Sequence, residues 1–225
     1  MPKLDLNKSQ GTKKFAPAAA LEADTYMARV VQVITVGKQD QRPYKGEEKA
    51  PTDEVQLTYE LVSEFLLDAG GNPDPTKPRW VSEFVPIRSL DSDLAKLTKR
   101  YKAIDPKNEE QGDLFGLIGN TCMVTLTKSP GRDGLERNYV SHVGAAPKGI
   151  PFPELVNEPR VFHVDDPDLE VFKDLPEWLQ KKMTEDNRRY QGSALQAALE
   201  GKTEVKTVDA PSADPVEPID DDLPF

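Results

Sequence analysis

The apolar residues of this chain change their spacing once, and that change restricts the fold more than any other feature. From Glu54 to Phe65 they recur at every second position, with Val55, Leu57, Tyr59, Leu61 and Phe65 on one side and Glu54, Gln56, Thr58, Glu60 and Glu64 on the other. Successive side chains of a strand point to opposite faces, so this segment is expected to be a strand with one apolar face. From Ser89 to Ile104 the spacing lengthens. Leu90, Leu94, Leu97, Tyr101 and Ile104 lie three or four positions apart, which gathers them on one face of a helix. Ser89 suits the cap, Asp91 and Asp93 the first turn, and Lys99, Arg100 and Lys102 the last, as the helix dipole requires.

Four further segments read as strands. Tyr26–Val36 is rich in β-branched residues, and Arg79–Ile87 ends beside Pro86, which marks a strand terminus or sheet edge. Thr121–Lys128 turns Cys122, Val124 and Leu126 inward, and Arg137–Val143 follows the hairpin loop Ser129–Gly134. Gly37 to Asp53 and Asp68 to Pro78 are polar and broken by Gly and Pro, so both are expected to be loops, and Asp113–Ile118 is expected to add a short helical turn. The resulting order, β-β-β-α-β-β, predicts a mainly β protein with the OB-fold, a five-stranded barrel plugged at one end by its helix.

Composition sets the domain plan. Hydrophobic residues make up 37% of the 225 and charged residues 30%, enough for one substantial core but not for burial throughout. Residues 1–20, with Lys3, Lys8, Lys13 and Lys14 against Asp5, read as a flexible basic arm. Residues 21–148 are the expected barrel. Residues 149–192 form an appendage packed on it, with helix starts at Asp166-Pro167 and Leu175-Pro176, and residues 193–225 form a disordered acidic tail that opens with a short or transient helix over Ser193–Glu200. The single cysteine, Cys122, permits neither an internal disulfide nor a thiolate metal cage. With no signal-like start and no run of ~18 apolar residues, the expectation is a soluble, cytoplasmic protein without a membrane partner.

The net charge of −10 is unevenly placed: residues 1–150 carry 21 Lys+Arg against 21 Asp+Glu, and residues 151–225 carry 8 against 18. A local basic groove on the first part is therefore compatible with an acidic total. Aromatic and basic residues coincide at Arg42, Tyr44 and Lys45, at Arg79, Trp80 and Phe84, and at Lys128, Arg132, Arg137 and Tyr139. Single-stranded nucleic acid needs cations for its phosphates and flat side chains for its bases, so these ten are the candidate DNA-binding residues. Glu54, Glu60 and Glu64 on the second strand would repel phosphate, which directs the expected DNA path to the loops and to the third and fifth strands. His142 and the cluster of His163, Asp165 and Asp166 are read as ordinary strand and loop residues. Phosphate-loop, dinucleotide-binding and His-Glu-x-x-His motifs are absent, so no catalytic residue, metal or cofactor is assigned. The alternative is a metal-dependent nuclease, whose acidic ligands come from scattered positions.

Residues 201–225 carry seven acids and two lysines and close with Asp220-Asp221-Asp222-Leu223-Pro224-Phe225. Apolar residues at the end of an acidic arm suit insertion of Phe225 into an apolar pocket, with its carboxylate on a basic residue and the aspartates steering the approach. This ending resembles that of the bacterial and bacteriophage single-stranded DNA-binding proteins, which finish in aspartates, an aliphatic residue, Pro and Phe. The match covers the last six residues, and 151–190 has no counterpart in the bacterial protein, so the chain looks most like a divergent bacteriophage member. The resemblance implies a non-enzymatic protein that coats single-stranded DNA during replication, recombination and repair. It implies that Asp220, Asp221, Asp222, Leu223, Pro224 and Phe225 recruit replication and recombination proteins and compete with DNA for the groove. A homodimer is the oligomer entertained.

Overall fold

The computed structural model describes residues 18–131 and 133–201, with the side chain of Tyr44 outside that description. The first three strands, β1 (Thr25–Tyr44), β2 (Glu47–Leu67) and β3 (Pro73–Pro86), form an antiparallel meander. The helix α1 (Lys96–Ile104) and a 3₁₀ turn (Phe115–Leu117) precede β4 (Thr121–Pro130) and β5 (Glu136–Ala145). The strand order is β3-β2-β1-β4-β5, every neighbouring pair antiparallel. The end strands β3 and β5 also lie against each other, but no hydrogen-bonded register joins them among the described residues, so the sheet is open along that seam.

The expected loop over 37–53 is strand instead. Its residues continue β1 and open β2, pairing Lys38 with Asp53, Gln39 with Thr52 and Gln41 with Lys49. The turn shrinks to Lys45 and Gly46, both at positive φ (53° and 83°), the two-residue geometry whose twist matches a hairpin. Backbone pairing holds this ribbon, and a polar ribbon carries no hydrophobic period to reveal it. Likewise β3 begins at Pro73, inside the second expected loop. The helix is shorter than its period: Ser89 Oγ bonds within its own turn, to Asp91, and Leu94 is solvent-exposed. Ser and Asp side chains that satisfy nearby backbone stabilise turns at the expense of helix.

Two cores lie on opposite faces of the sheet. The first gathers Val55, Leu57, Tyr59 and Leu61 of β2 with Cys122, Val124 and Leu126 of β4, closed by Leu97, Tyr101 and Ile104 of α1. The second is built on Ile34 and Val36 of β1 by the segment after β5: β6 (Arg160–Phe162), α2 (Leu169–Asp174), α3 (Glu177–Thr184) and α4 (Ala194–Leu199). β6 pairs parallel to β1, Ile34 opposite Phe162. β1 lies between the two cores and its side chains alternate between them, so Val30 to Val36 is buried on both faces, with bulges after Val30 and Thr35. The helix expected from Asp166 begins later, with Asp168 accepting from the Glu170 and Val171 amides. Pro176 precedes α3 and Ser193 caps α4, and Leu195 is wholly buried, so α4 packs with the body. The tail residues Asp220, Asp221, Asp222, Leu223, Pro224 and Phe225, the basic arm up to residue 17, and Arg132 lie outside the described residues.

Candidate nucleic-acid interface

The seam between β3 and β5 holds a groove of about 250 Å³ lined by Arg79, Trp80 and Ser82 from one strand and by Leu135, Arg137 and Asn138 from the hairpin and strand opposite. Three of the sequence-selected residues, Arg79, Trp80 and Arg137, thus meet although 57 positions separate the second from the third. Trp80 leaves the sheet on its outer side and is 41% exposed. Its indole Nε1 donates to Glu60 Oε2 at 3.1 Å, which fixes the ring plane while leaving the rest of it to solvent. Tyr139, two positions after Arg137 and on the same side of β5 by strand alternation, is also exposed. Arg137 bonds Asp133 at 2.6 Å, and the guanidinium holds that carboxyl below its ordinary range.

The chain entering β1 lies across this groove. Arg79 donates to the Ala19 carbonyl at 2.7 Å, and the Asn138 side chain grips Leu21 at both its amide (2.8 Å) and its carbonyl (2.9 Å). Lys128 pairs with Glu22 at 2.6 Å at the same edge. Ala19 to Glu22 therefore run beside Arg79, Asn138 and Lys128.

The other sequence-selected residues are apart from the groove. Arg42 and Lys45 sit exposed near the tip of the β1–β2 hairpin, where Tyr44 ends β1. The hairpin base is fixed by the turn after α3. Arg188 forks onto Asp40, depressing that carboxyl, Arg189 reaches Asp53 at 3.0 Å, and the Lys38 amide donates to Asn187 Oδ1 at 2.9 Å. Phe84 shares the outer side of β3 with Trp80 but is half-covered: Trp178 of α3 meets it edge-to-face at 6.2 Å and Lys182 Nζ stands 4.7 Å from its centroid.

The expected acidic face of β2 requires correction. Glu60 is wholly buried and accepts from the amides of Val156 (2.7 Å) and Asn157 (3.3 Å), from the Asn157 side chain (2.7 Å) and from Trp80. Glu54 pairs with Lys182 at 3.3 Å. Glu54 is thus charge-paired, and Glu60, supplied with four donors, anchors the Val156–Asn157 segment in place of facing solvent. Sequence alternation placed these side chains on the right face, but only the chain 96 and more positions later decides that the face is covered.

No protein-family model matches the chain, and no curated protein matches it. The residues themselves therefore carry the functional argument. Among the described residues no group of three or more His, Cys, Asp or Glu is placed to hold a metal ion. His163, the histidine nearest to such a group, accepts the Asp165 amide on Nδ1 at 3.1 Å and leans on Phe115. No helix among the described residues is long and apolar enough to cross a membrane.

Trp178 escaped the sequence reading as part of this surface, and Glu60 was read there as a repelling acid and not as an anchor. For Trp178 a signal existed: Leu175, Leu179 and Met183 form the apolar stripe, four positions apart, and Trp178 stands one position off it. For Glu60 there was none, because its donors are backbone amides of a distant segment.

Proposed function

We propose that the protein coats single-stranded DNA on an OB-type barrel and recruits other proteins of DNA replication, recombination and repair through Asp220–Phe225. The observation that carries this reading is the seam groove, where Arg79 and Arg137 supply cations and Trp80 a flat, exposed ring across two strands that are not sheet neighbours. The architecture supports it: five strands in the order β3-β2-β1-β4-β5, a helix between the third and fourth, and end strands facing each other suit the partly open Greek-key barrel of OB-folds. In that fold the second and third strands and the first and last hairpins border the bound strand, and these elements carry Arg42, Lys45, Arg79, Trp80, Lys128 and Arg137 here. Stacking is tolerant of base identity, so binding is expected to show little sequence preference and strong salt dependence.

The test uses protein lacking 220–225, so that the acidic end does not compete, and a fluorescein-labelled oligothymidine. Anisotropy should rise at low salt and collapse as salt increases. No binding under these conditions would remove the proposal. Incubation of the same strand with Mg²⁺ or Mn²⁺ should leave it intact, whereas cleavage would favour the nuclease alternative. The truncated protein should bind DNA as well as or better than the full chain and lose its protein partners. Equal partner capture by both would refute the role of the tail.

A further inference from the structure

The exposed aromatic track does not stop at β3. Trp80, Ser82 and Phe84 follow one another on the outer side of that strand, and the two rings are separated by roughly 13 Å at the ordinary strand rise. At Phe84 the track meets α3. Trp178 stands perpendicular to the Phe84 ring, with centroids 6.2 Å apart and an interplanar angle of 86°. It is 54% exposed, although its neighbour Leu179 is buried in the second core. A tryptophan that contributes only to packing turns its area inward, and this one keeps more than half outside. Lys182, one turn on, sets its Nζ 4.7 Å from the Phe84 centroid. Glu54 and Glu177, the acids nearby, are taken up by Lys182 and Lys181.

Resting on the single-strand reading above, we infer that Trp178 is a base-stacking residue, and that the segment after β5 extends the DNA-binding surface as well as bracing the sheet. The occupant is a base of the same strand that passes Trp80, with Phe84 holding the Trp178 ring upright. Such a surface needs no hydrogen-bond readout and takes any base.

The chain contains only two tryptophans, Trp80 and Trp178, so each substitution leaves one reporter. The experiment titrates oligothymidine into Trp80→Phe and Trp178→Phe proteins, following anisotropy of the labelled strand and tryptophan fluorescence together. Quenching of Trp178 in Trp80→Phe is the expected result. Trp178→Ala should weaken binding roughly 5- to 150-fold, the range for one stacked base. Trp178→Phe, which keeps a flat ring, should recover most of that. Quenching of Trp80 alone, with Trp178→Ala binding as wild type, would overturn the inference and leave the proposed function standing. Failure of every variant and of the wild type to bind would overturn both.

Discussion

Arg100 offers the sharpest test of how the two end strands of the sheet are held. Its side chain is 5% exposed, and its guanidinium donates to Glu83 of β3 through Nε at 2.8 Å and a terminal nitrogen at 3.2 Å, and to the Ser141 carbonyl of β5 at 3.3 Å. One side chain of α1 thus spans the seam that no backbone register closes. Arg100→Met keeps the apolar stem and removes the charge. Breaking a buried pair by deleting one partner costs about 3–5 kcal/mol, because the other charge is left uncompensated. Glu83 retains Lys96 at 2.7 Å and the Tyr59 hydroxyl at 3.0 Å, so the loss belongs at the lower end, about 3 kcal/mol. That leaves the protein folded if its stability lies in the usual range of about 5–15 kcal/mol, and lowers its melting temperature by roughly 6–12 °C. Urea denaturation of the wild type, Arg100→Met, Glu83→Leu and the double variant measures it. The double variant should be less destabilised than the two single losses summed, by about 1 kcal/mol or more, since neither charge is then stranded. Additive effects, or a single-variant loss under about 1 kcal/mol, would refute the view that this pair closes the seam. Oligothymidine affinity should fall in parallel, because the Arg79 and Arg137 walls of the groove are set by the same spacing.

Replacing Glu60 by Gln leaves one acceptor oxygen where two serve four donors, so unfolding free energy should fall by about 2–3 kcal/mol, and the Val156 and Asn157 amides should exchange faster in hydrogen-exchange mass spectrometry or NMR. Gly37→Ala should cost about 2–4 kcal/mol by denaturant titration, because φ is +75° and a Cβ there collides with the Asn187 amide that receives the Lys38 N–H. Burial pushes the Cys122 thiol up from 9.0 to about 12, so the stability it contributes is complete below pH 9 and lost as pH rises toward 12, by at most about 1.4 kcal/mol per pH unit. Denaturation midpoints from pH 8 to 11 should therefore fall less steeply for Cys122→Ala than for wild type, and equal slopes would count against that burial. Arg79→Gln and Arg137→Gln should each reduce the salt slope of oligothymidine binding by about 0.7, and an unchanged slope would place the phosphates elsewhere.

What the sequence determined by itself was whatever a local period or a chemical type fixes. The alternation of Val55, Leu57, Tyr59 and Leu61, the inward set Cys122, Val124 and Leu126, and the helical stripe of Leu97, Tyr101 and Ile104 all bury as expected, because each segment has one face that water disfavours. The meeting of basic and aromatic types at Trp80 and Arg137 was also legible, although not that the two share a groove. The β1–β2 ribbon was not legible, because its strands are held by backbone hydrogen bonds between polar residues, and such bonds leave no trace in hydropathy. Only the tertiary structure decided that Glu60 is an anchor and not a surface acid, that Phe84 is half-covered, and that Trp178 stands beside it. Each of those outcomes depends on which distant segment packs against the outer face of the sheet, and a charge or a ring changes its role with the solvent it loses or keeps.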